Sequence, residues 1–245
     1  MSNLNSYPLS YKAFGKSALL IEWPNQIDQH ILNDILQFQS CIEVELRDLL
    51  VETVNAYNSL TIVFYPDIIS LNEIQQKIQN LYPLKPPIIK REGNTWEIPV
   101  CYDKEFGIDM KDVANQNELT VDEIIATHCK AEYTIYFIGF LPGFLYLGGL
   151  PKAIHTPRKS TPRLRIKKGA VAIGGEQTGI YPFESPGGWN IIGNSPLQFF
   201  DPKLNPPCFA HAGDLLRFYP IGKKEHQKIL NEVERGVFTI ESKSP

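Results

Sequence analysis

Apolar and polar residues alternate over positions 8–23, the spacing of a strand with one buried face. Tyr11 to Phe14 and Ala18 to Trp23 flank Gly15-Lys16, so this stretch reads as a hairpin. The period then lengthens. Ile27, Ile31, Ile35 and Phe38 fall on one stripe and predict an amphipathic helix over 26–39. Leu49 to Val54 and Leu60 to Tyr65 read as two strands around Asn55-Ala56-Tyr57-Asn58. Ser70 and Glu73 form a capping-box pattern ahead of a helix carrying Ile74, Ile78 and Leu81. The order β-α-β-β-α predicts a small α+β sandwich, with helices on one face of an antiparallel sheet.

Pro83-Leu84-Lys85-Pro86-Pro87 then stiffens the chain and stops the helix. A domain boundary is expected close to residue 90, giving domains over 1–90 and 91–245. Trp96 to Val100 opens the second domain as a strand, and Asp109 to Asn115 reads as a short helix. Thr120 and Glu123 make a second capping box, so 121–130 is expected to be helical. Tyr133 to Ile138 is a short apolar strand. Asp214 to Tyr219 reads as another strand, Lys223 to Glu234 as a helix closed by Gly236, and Phe238 to Glu241 as a last strand.

Between them lies Gly139 to Gly193, which holds 11 of the 17 glycines, together with 6 prolines and 6 aromatics. Helix is excluded over most of it, because Gly and Pro cost about 1 and 3 kcal/mol relative to Ala in a helix interior. Short strands are expected, with turns at Pro142-Gly143, Gly148-Gly149, Gly174-Gly175 and Gly187-Gly188. The pattern reaches a barrel or sandwich of short strands. The segment has 7 Lys/Arg against 2 Asp/Glu, +5 in a chain of −3, so positive charge is concentrated there. Aromatics, arginines and free backbone N–H groups on a rigid sheet suit an anionic or carboxylate-bearing small molecule.

The chain has 245 residues, enough for one or two domains with a substantial core. No signal pattern opens it, and no apolar run approaches the ~20 residues of a membrane helix; a cytoplasmic bacterial protein is the simplest reading. Cys41, Cys101, Cys129 and Cys208 are scattered, and the five histidines lack metal-binding spacing, so neither a disulfide framework nor a metal site is expected. The overall acidity argues against nucleic-acid binding.

The runs PGFLYLGGLP, TPRKSTPR, AVAIGGEQTGIYP and SPGGWNIIGNSPLQFFD, in that order, resemble the family that includes the PxpB subunit of bacterial ATP-dependent 5-oxoprolinase. The family also contains allophanate hydrolase subunit 1 and the sporulation kinase inhibitor KipI. The resemblance covers essentially the whole chain and is strongest over 97–220. It implies a ferredoxin-like N-terminal domain followed by a cyclophilin-like β-barrel of the carboxyltransferase type. Three departures stand out, one of them Ile108 in place of a proline. Ile166-Lys167-Lys168 replaces the usual Val-Pro-Ala, and Asp103-Lys104 replaces a glycine pair; Glu105 and Asp109 keep their acidic character.

Seven residues are singled out for the site. Arg158 and Arg163 each follow a proline that limits local freedom, and both match the family pattern. Two arginines on stiff turns can grip carboxylates or phosphates; Lys159, Arg165, Lys167 and Lys168 read as solvated surface. His128, near the end of a helix, suits either proton transfer or a helix-C-terminal cap, and a histidine at this place belongs to the family motif. Gln177 and Tyr181 can offer neutral hydrogen bonds to an amide or lactam, or simply belong to a hairpin. Phe144 and Trp189 sit on turns, where aromatics serve pockets and protein interfaces alike. Gly174 to Pro182 lacks the GK[ST] ending of a phosphate loop, and Ser185 lacks the context of a nucleophile elbow.

The resemblance implies a subunit of an assembly that opens 5-oxoproline to L-glutamate with ATP hydrolysis. ATP is expected to serve the assembly without necessarily binding this chain. The implied partners are a PxpC-like subunit, similar to allophanate hydrolase subunit 2, and a PxpA-like protein of the LamB/YcsF type. The alternatives are a KipI-type inhibitor of histidine kinase autophosphorylation and a subunit like those of allophanate hydrolase or urea carboxylase.

Overall fold

A computed structural model describes residues 7–85 and 93–243. The chain divides into two compact units, Met1–Arg91 and Glu92–Pro245. The expected boundary close to residue 90 lies outside the described residues.

In the first unit, β1 (Ser10–Ala13) and β2 (Ala18–Glu22) form the N-terminal hairpin. Asp28 caps α1 (Gln29–Glu45) by accepting from the His30 and Ile31 amides. This helix runs past the predicted end at 39, because Ile42 continues the buried stripe of Ile31, Ile35 and Phe38. Ile27, placed on that stripe by spacing, precedes the cap and is exposed. β3 (Leu50–Asn55) and β4 (Ser59–Phe64) follow, then α2 (Leu71–Leu81), entered through the Ser70–Glu73 capping box. The sheet is antiparallel throughout, in the order β1-β2-β4-β3. Both helices pack on it and on each other. One carboxylate lies in this core. Asp34 accepts from Trp23 Nε1 at 2.8 Å and Tyr82 Oη at 2.7 Å, and pairs with Lys85.

The second unit opens with β5 (Thr95–Val100), α3 (Met110–Gln116), α4 (Val121–Lys130) and β6 (Glu132–Ile138). The Gly-rich stretch supplies β7 (Leu145–Gly148), β8 (Arg163–Ile166), β9 (Ala170–Gly174), β10 (Gln177–Ile180), β11 (Ser185–Gly187) and β12 (Asn190–Asn194). β13 (Leu215–Pro220), α5 (Lys223–Glu234) and β14 (Ser242–Lys243) complete it. The main sheet runs β12-β9-β10-β7-β6-β13-β5-β14, antiparallel except for the parallel pair β13 and β5. β12 and the end of β5 then meet. Cys101 and Asn194 exchange backbone hydrogen bonds of 2.9 and 3.0 Å, closing the strands into a barrel. β8 and β11 form a separate two-stranded ribbon.

The barrel is filled by inward residues such as Ile98, Tyr133, Ile135, Leu147, Ile173, Ile192 and Leu216. Asp103 and Glu105, where relatives were expected to carry glycines and an acid, both reach Lys223 Nζ at 3.2 Å, at the start of α5. Two details differ from the pattern reading. The last strand is Ser242–Lys243 rather than 238–241, because the 238–241 stretch makes no ladder and Phe238 and Ile240 pack sideways onto the core. Gly187 belongs to β11 rather than to a turn. The four cysteines are free thiols. Among the described residues no helix is long and apolar enough to cross a membrane, and no cluster of His, Cys, Asp and Glu is arranged to hold a metal.

Candidate active site

The Gly-rich strands bring four aromatic rings together at one place on the second unit. Phe144 enters from the turn before β7, Tyr146 from β7, Tyr181 from the end of β10, and Trp189 from between β11 and β12. Phe144 is central. Its ring lies 5.7 Å from Trp189, 5.3 Å from Tyr181 and 4.8 Å from Tyr146, with the first two edge-to-face. Gly174 makes room for the indole: a Cβ there would stand 2.5 Å from the Trp189 ring. These rings, with Phe140, Arg158, Lys159, Pro162, Gly187 and Gly188, line a cavity of about 270 Å³.

Arg158 supplies the charge. Its guanidinium carbon stands 5.5 Å from the Trp189 ring centroid, within cation–π range. Among the described residues no carboxylate pairs with it. Tyr181 is almost fully buried. Burial pushes its phenol up to about 12, so it remains protonated near neutral pH. A cavity walled by aromatics, with the Arg158 guanidinium and the Tyr146 and Tyr181 phenols in its lining, can hold a small planar molecule that carries a single carboxylate.

Beside it, Asp109 organises the remaining basic residues. It is buried at the entry to α3, with Arg163 Nη2 2.6 Å and Lys159 Nζ 2.9 Å from Oδ1. Its Oδ2 accepts the Ile191 amide at 2.8 Å. Burial alone would raise the Asp109 pKa, but the bonds from Arg163, Ile191 and Lys159 outweigh it and hold the carboxyl below its ordinary value.

Of the seven residues expected at a site, the structure therefore assembles four: Arg158, Tyr181, Phe144 and Trp189. Gln177 opens β10 at the hairpin turn and does not line the cavity. Arg163 also stays outside it, because its guanidinium is committed to Asp109. Lys159, read as solvated surface, belongs to the same ion cluster. Phe144, placed on a turn by the sequence, is buried, and the nearby Phe140 carries an exposed ring.

His128 lies apart from the cavity. It has no exposed surface and stacks on Phe218, 4.4 Å between centroids, in the barrel core. Thr178 Oγ1 donates to the Ala172 carbonyl, so it accepts from His128 Nε2 at 3.1 Å. His128 Nδ1 then accepts from Tyr102 Oη at 2.7 Å, and Tyr102 accepts from Cys129 Sγ. Burial drives the imidazole pKa down to about 3. This histidine is a neutral hydrogen-bonding group of the barrel core.

The residues missed by sequence reading are Asp109 as a cluster centre, Lys159 as its partner and Tyr146 as a wall. Asp109 was visible as an acid held in a family motif, but nothing in the spacing linked it to positions 159 and 163.

Comparison with known proteins places this geometry. The family model described as "Carboxyltransferase domain, subdomain C and D" matches residues 9–210. The chain is 37% identical to the B subunit of 5-oxoprolinase from Bacillus subtilis over 229 residues, 89% of this chain and 95% of that protein. It is 43% identical to the B subunit of 5-oxoprolinase from Haemophilus influenzae over 169 residues, 69% of this chain and 78% of that one. The chain belongs to the carboxyltransferase-domain family that includes the B subunit of 5-oxoprolinase. A solved structure of Kluyveromyces lactis urea carboxylase matches all of the chain with a TM-score of 0.83 at 18% identity, over 24% of that much longer protein. At that identity the likeness concerns the fold, and within this family the Arg158 pocket sits on a carboxyltransferase-type barrel.

Proposed function

We propose that this chain is the B-type subunit of an ATP-dependent 5-oxoprolinase, the assembly that opens 5-oxo-L-proline to L-glutamate. The near-full-length match to the B subunit of the Bacillus subtilis enzyme carries the reading, and the pocket agrees with the ligand. The substrate is a flat five-membered lactam with one carboxylate. In this reading its ring lies among Phe144, Tyr146 and Trp189, its carboxylate meets Arg158, and the Tyr181 hydroxyl orients the lactam oxygen. Opening an amide requires charge to develop on that oxygen, and fixed donors in a water-poor site stabilise such charge. A lactam is a poor electrophile, which is the chemical reason the assembly spends ATP.

The β9–β10 hairpin does not fit the phosphates of a nucleoside triphosphate. Gly174 to Ile180 is the β9–β10 hairpin, with no helix N-terminus behind it to receive phosphates. ATP binding is therefore assigned to a partner, and the reaction to a complex with PxpC-like and PxpA-like subunits. No group of the cavity completes a hydrolytic set.

The test is binding to the purified chain. 5-Oxoproline is expected to change Trp189 fluorescence saturably, and Arg158→Gln to abolish the change; ATP is expected to leave it unaltered. A saturable response to ATP and none to 5-oxoproline would overturn this assignment of the pocket.

A further inference from the structure

The loop from Thr156 to Arg163 carries Arg158 to the cavity. Its backbone is held at three places. Thr156 bridges to Gly175, the Pro157 carbonyl accepts from Asn190 Nδ2 at 2.9 Å, and the Lys159 amide donates to the Gly188 carbonyl at 2.7 Å. Asp109 supplies the side-chain counterpart. Its Oδ1 binds Lys159, the residue after Arg158, and Arg163, the last residue of the loop. Its Oδ2 binds the amide of Ile191, two residues beyond Trp189, and its own amide donates to the Ile191 carbonyl at 2.9 Å. One buried carboxylate thus joins the loop that bears the guanidinium to β12, the strand that follows the indole.

The charges support the same division of labour. Lys159 and Arg163 face Asp109, and Lys159 also lies 3.6 Å from Asp112. Those two cations are balanced by two carboxylates. Arg158 is left as the cation of the loop that faces the cavity without a carboxylate partner among the described residues. Charge-assisted bonds in a buried setting hold geometry tightly, and a small misplacement of a binding group costs affinity and rate.

We propose that Asp109 is a positioning residue for the Arg158–Trp189 pair: it fixes the guanidinium against the indole so that the cation presents to a carboxylate in the cavity. The ligand part of this statement rests on the function proposed above, whereas the clamp itself does not.

The experiment reads the clamp without ligand or partner. The indole N–H cross-peak of Trp189 is recorded by nitrogen–proton NMR in the wild-type chain, Arg158→Gln, Asp109→Asn and Lys159→Gln. Asp109→Asn is expected to move that signal at least half of the way to its Arg158→Gln position, and Lys159→Gln to move it in the same direction. Lys159 is part-exposed, so its variant keeps the test open if Asp109→Asn does not fold. An unmoved Trp189 signal in the folded variants overturns the proposal. In the complete assembly, Asp109→Asn is expected to raise KM for 5-oxoproline about tenfold per folded enzyme, and Asp109→Glu to recover part of it. A purely structural role would lower the folded fraction and leave both KM and the indole signal in place. Absence of turnover in the wild-type assembly would strike the functional reading alone.

Discussion

Arg158→Ala is expected to lower 5-oxoproline turnover by the complete assembly about a hundredfold, because the substrate carboxylate loses the charged partner that positions the lactam. Arg158 is exposed and makes no ion pair among the described residues, so the stability of the chain should stay within about 0.5 kcal/mol of wild type. Arg158→Lys keeps the charge but loses the planar group that stacks on Trp189. It should retain an intermediate activity, because ammonium and guanidinium are not equivalent at a stacked site. Arg163→Ala should behave differently. It breaks the contact to buried Asp109, so its effect should include a loss of stability that Arg158→Ala does not show. Steady-state kcat and KM, with urea denaturation of each variant, separate the two arginines. Turnover that survives Arg158→Ala would remove this residue from the mechanism.

The largest effect on stability is expected at His128. His128→Ala leaves the Tyr102 and Thr178 hydroxyls without their shared partner and opens a cavity beside Phe218. A loss of about 3–5 kcal/mol should follow, read as a lowered urea midpoint at unchanged slope. The wild-type histidine also predicts a pH dependence. Its folded pKa lies near 3, below its ordinary unfolded value of 6.5. The unfolded chain therefore binds more protons as pH falls below 6.5, and stability drops across the window from about 6.5 to 3. The loss from this group between pH 7 and 5 should be about 2 kcal/mol. His226, also buried and lowered, adds in the same direction. His128→Gln should remove the larger share of this acid sensitivity. Equal stability of the wild-type chain at pH 7 and pH 5 would contradict the buried neutral assignment.

His128 also shows where sequence reading reached its limit. Its position on α4, near the helix end, was legible, and so was the capping box that starts that helix. Helical spacing tells which side chains share a face, but not that Thr178 and Tyr102 wait opposite to complete two hydrogen bonds. The first unit was readable almost strand by strand, because its short antiparallel elements leave one buried face that imposes a period. The α1 end was missed where Cys41, Glu43 and Glu45 dilute a stripe that Ile42 alone continues. In the Gly-rich stretch, composition announced short strands and turns, but barrel closure depends on Cys101 meeting Asn194, a pairing that spacing does not encode.

The site followed the same division. Arg158, Tyr181, Phe144 and Trp189 were legible because prolines, glycines and aromatics crowd one segment, which the barrel folds around one cavity. Arg163 sat in the same Pro-Arg pattern as Arg158, so local sequence offered no way to separate them. Only the buried carboxylate of Asp109, far earlier in the chain, pairs with Arg163 and leaves Arg158 over the Trp189 ring.

The central claim is a role in ATP-dependent 5-oxoprolinase, and the most direct test is 5-oxoproline-dependent ATP hydrolysis with glutamate release. The assay uses this chain alone and then with the proposed PxpC-like and PxpA-like partners. The account predicts no turnover by the chain alone and matched formation of ADP and glutamate in the full mixture, lost with Arg158→Ala. A full mixture of folded subunits that releases no glutamate, or that works equally well without this chain, would contradict it.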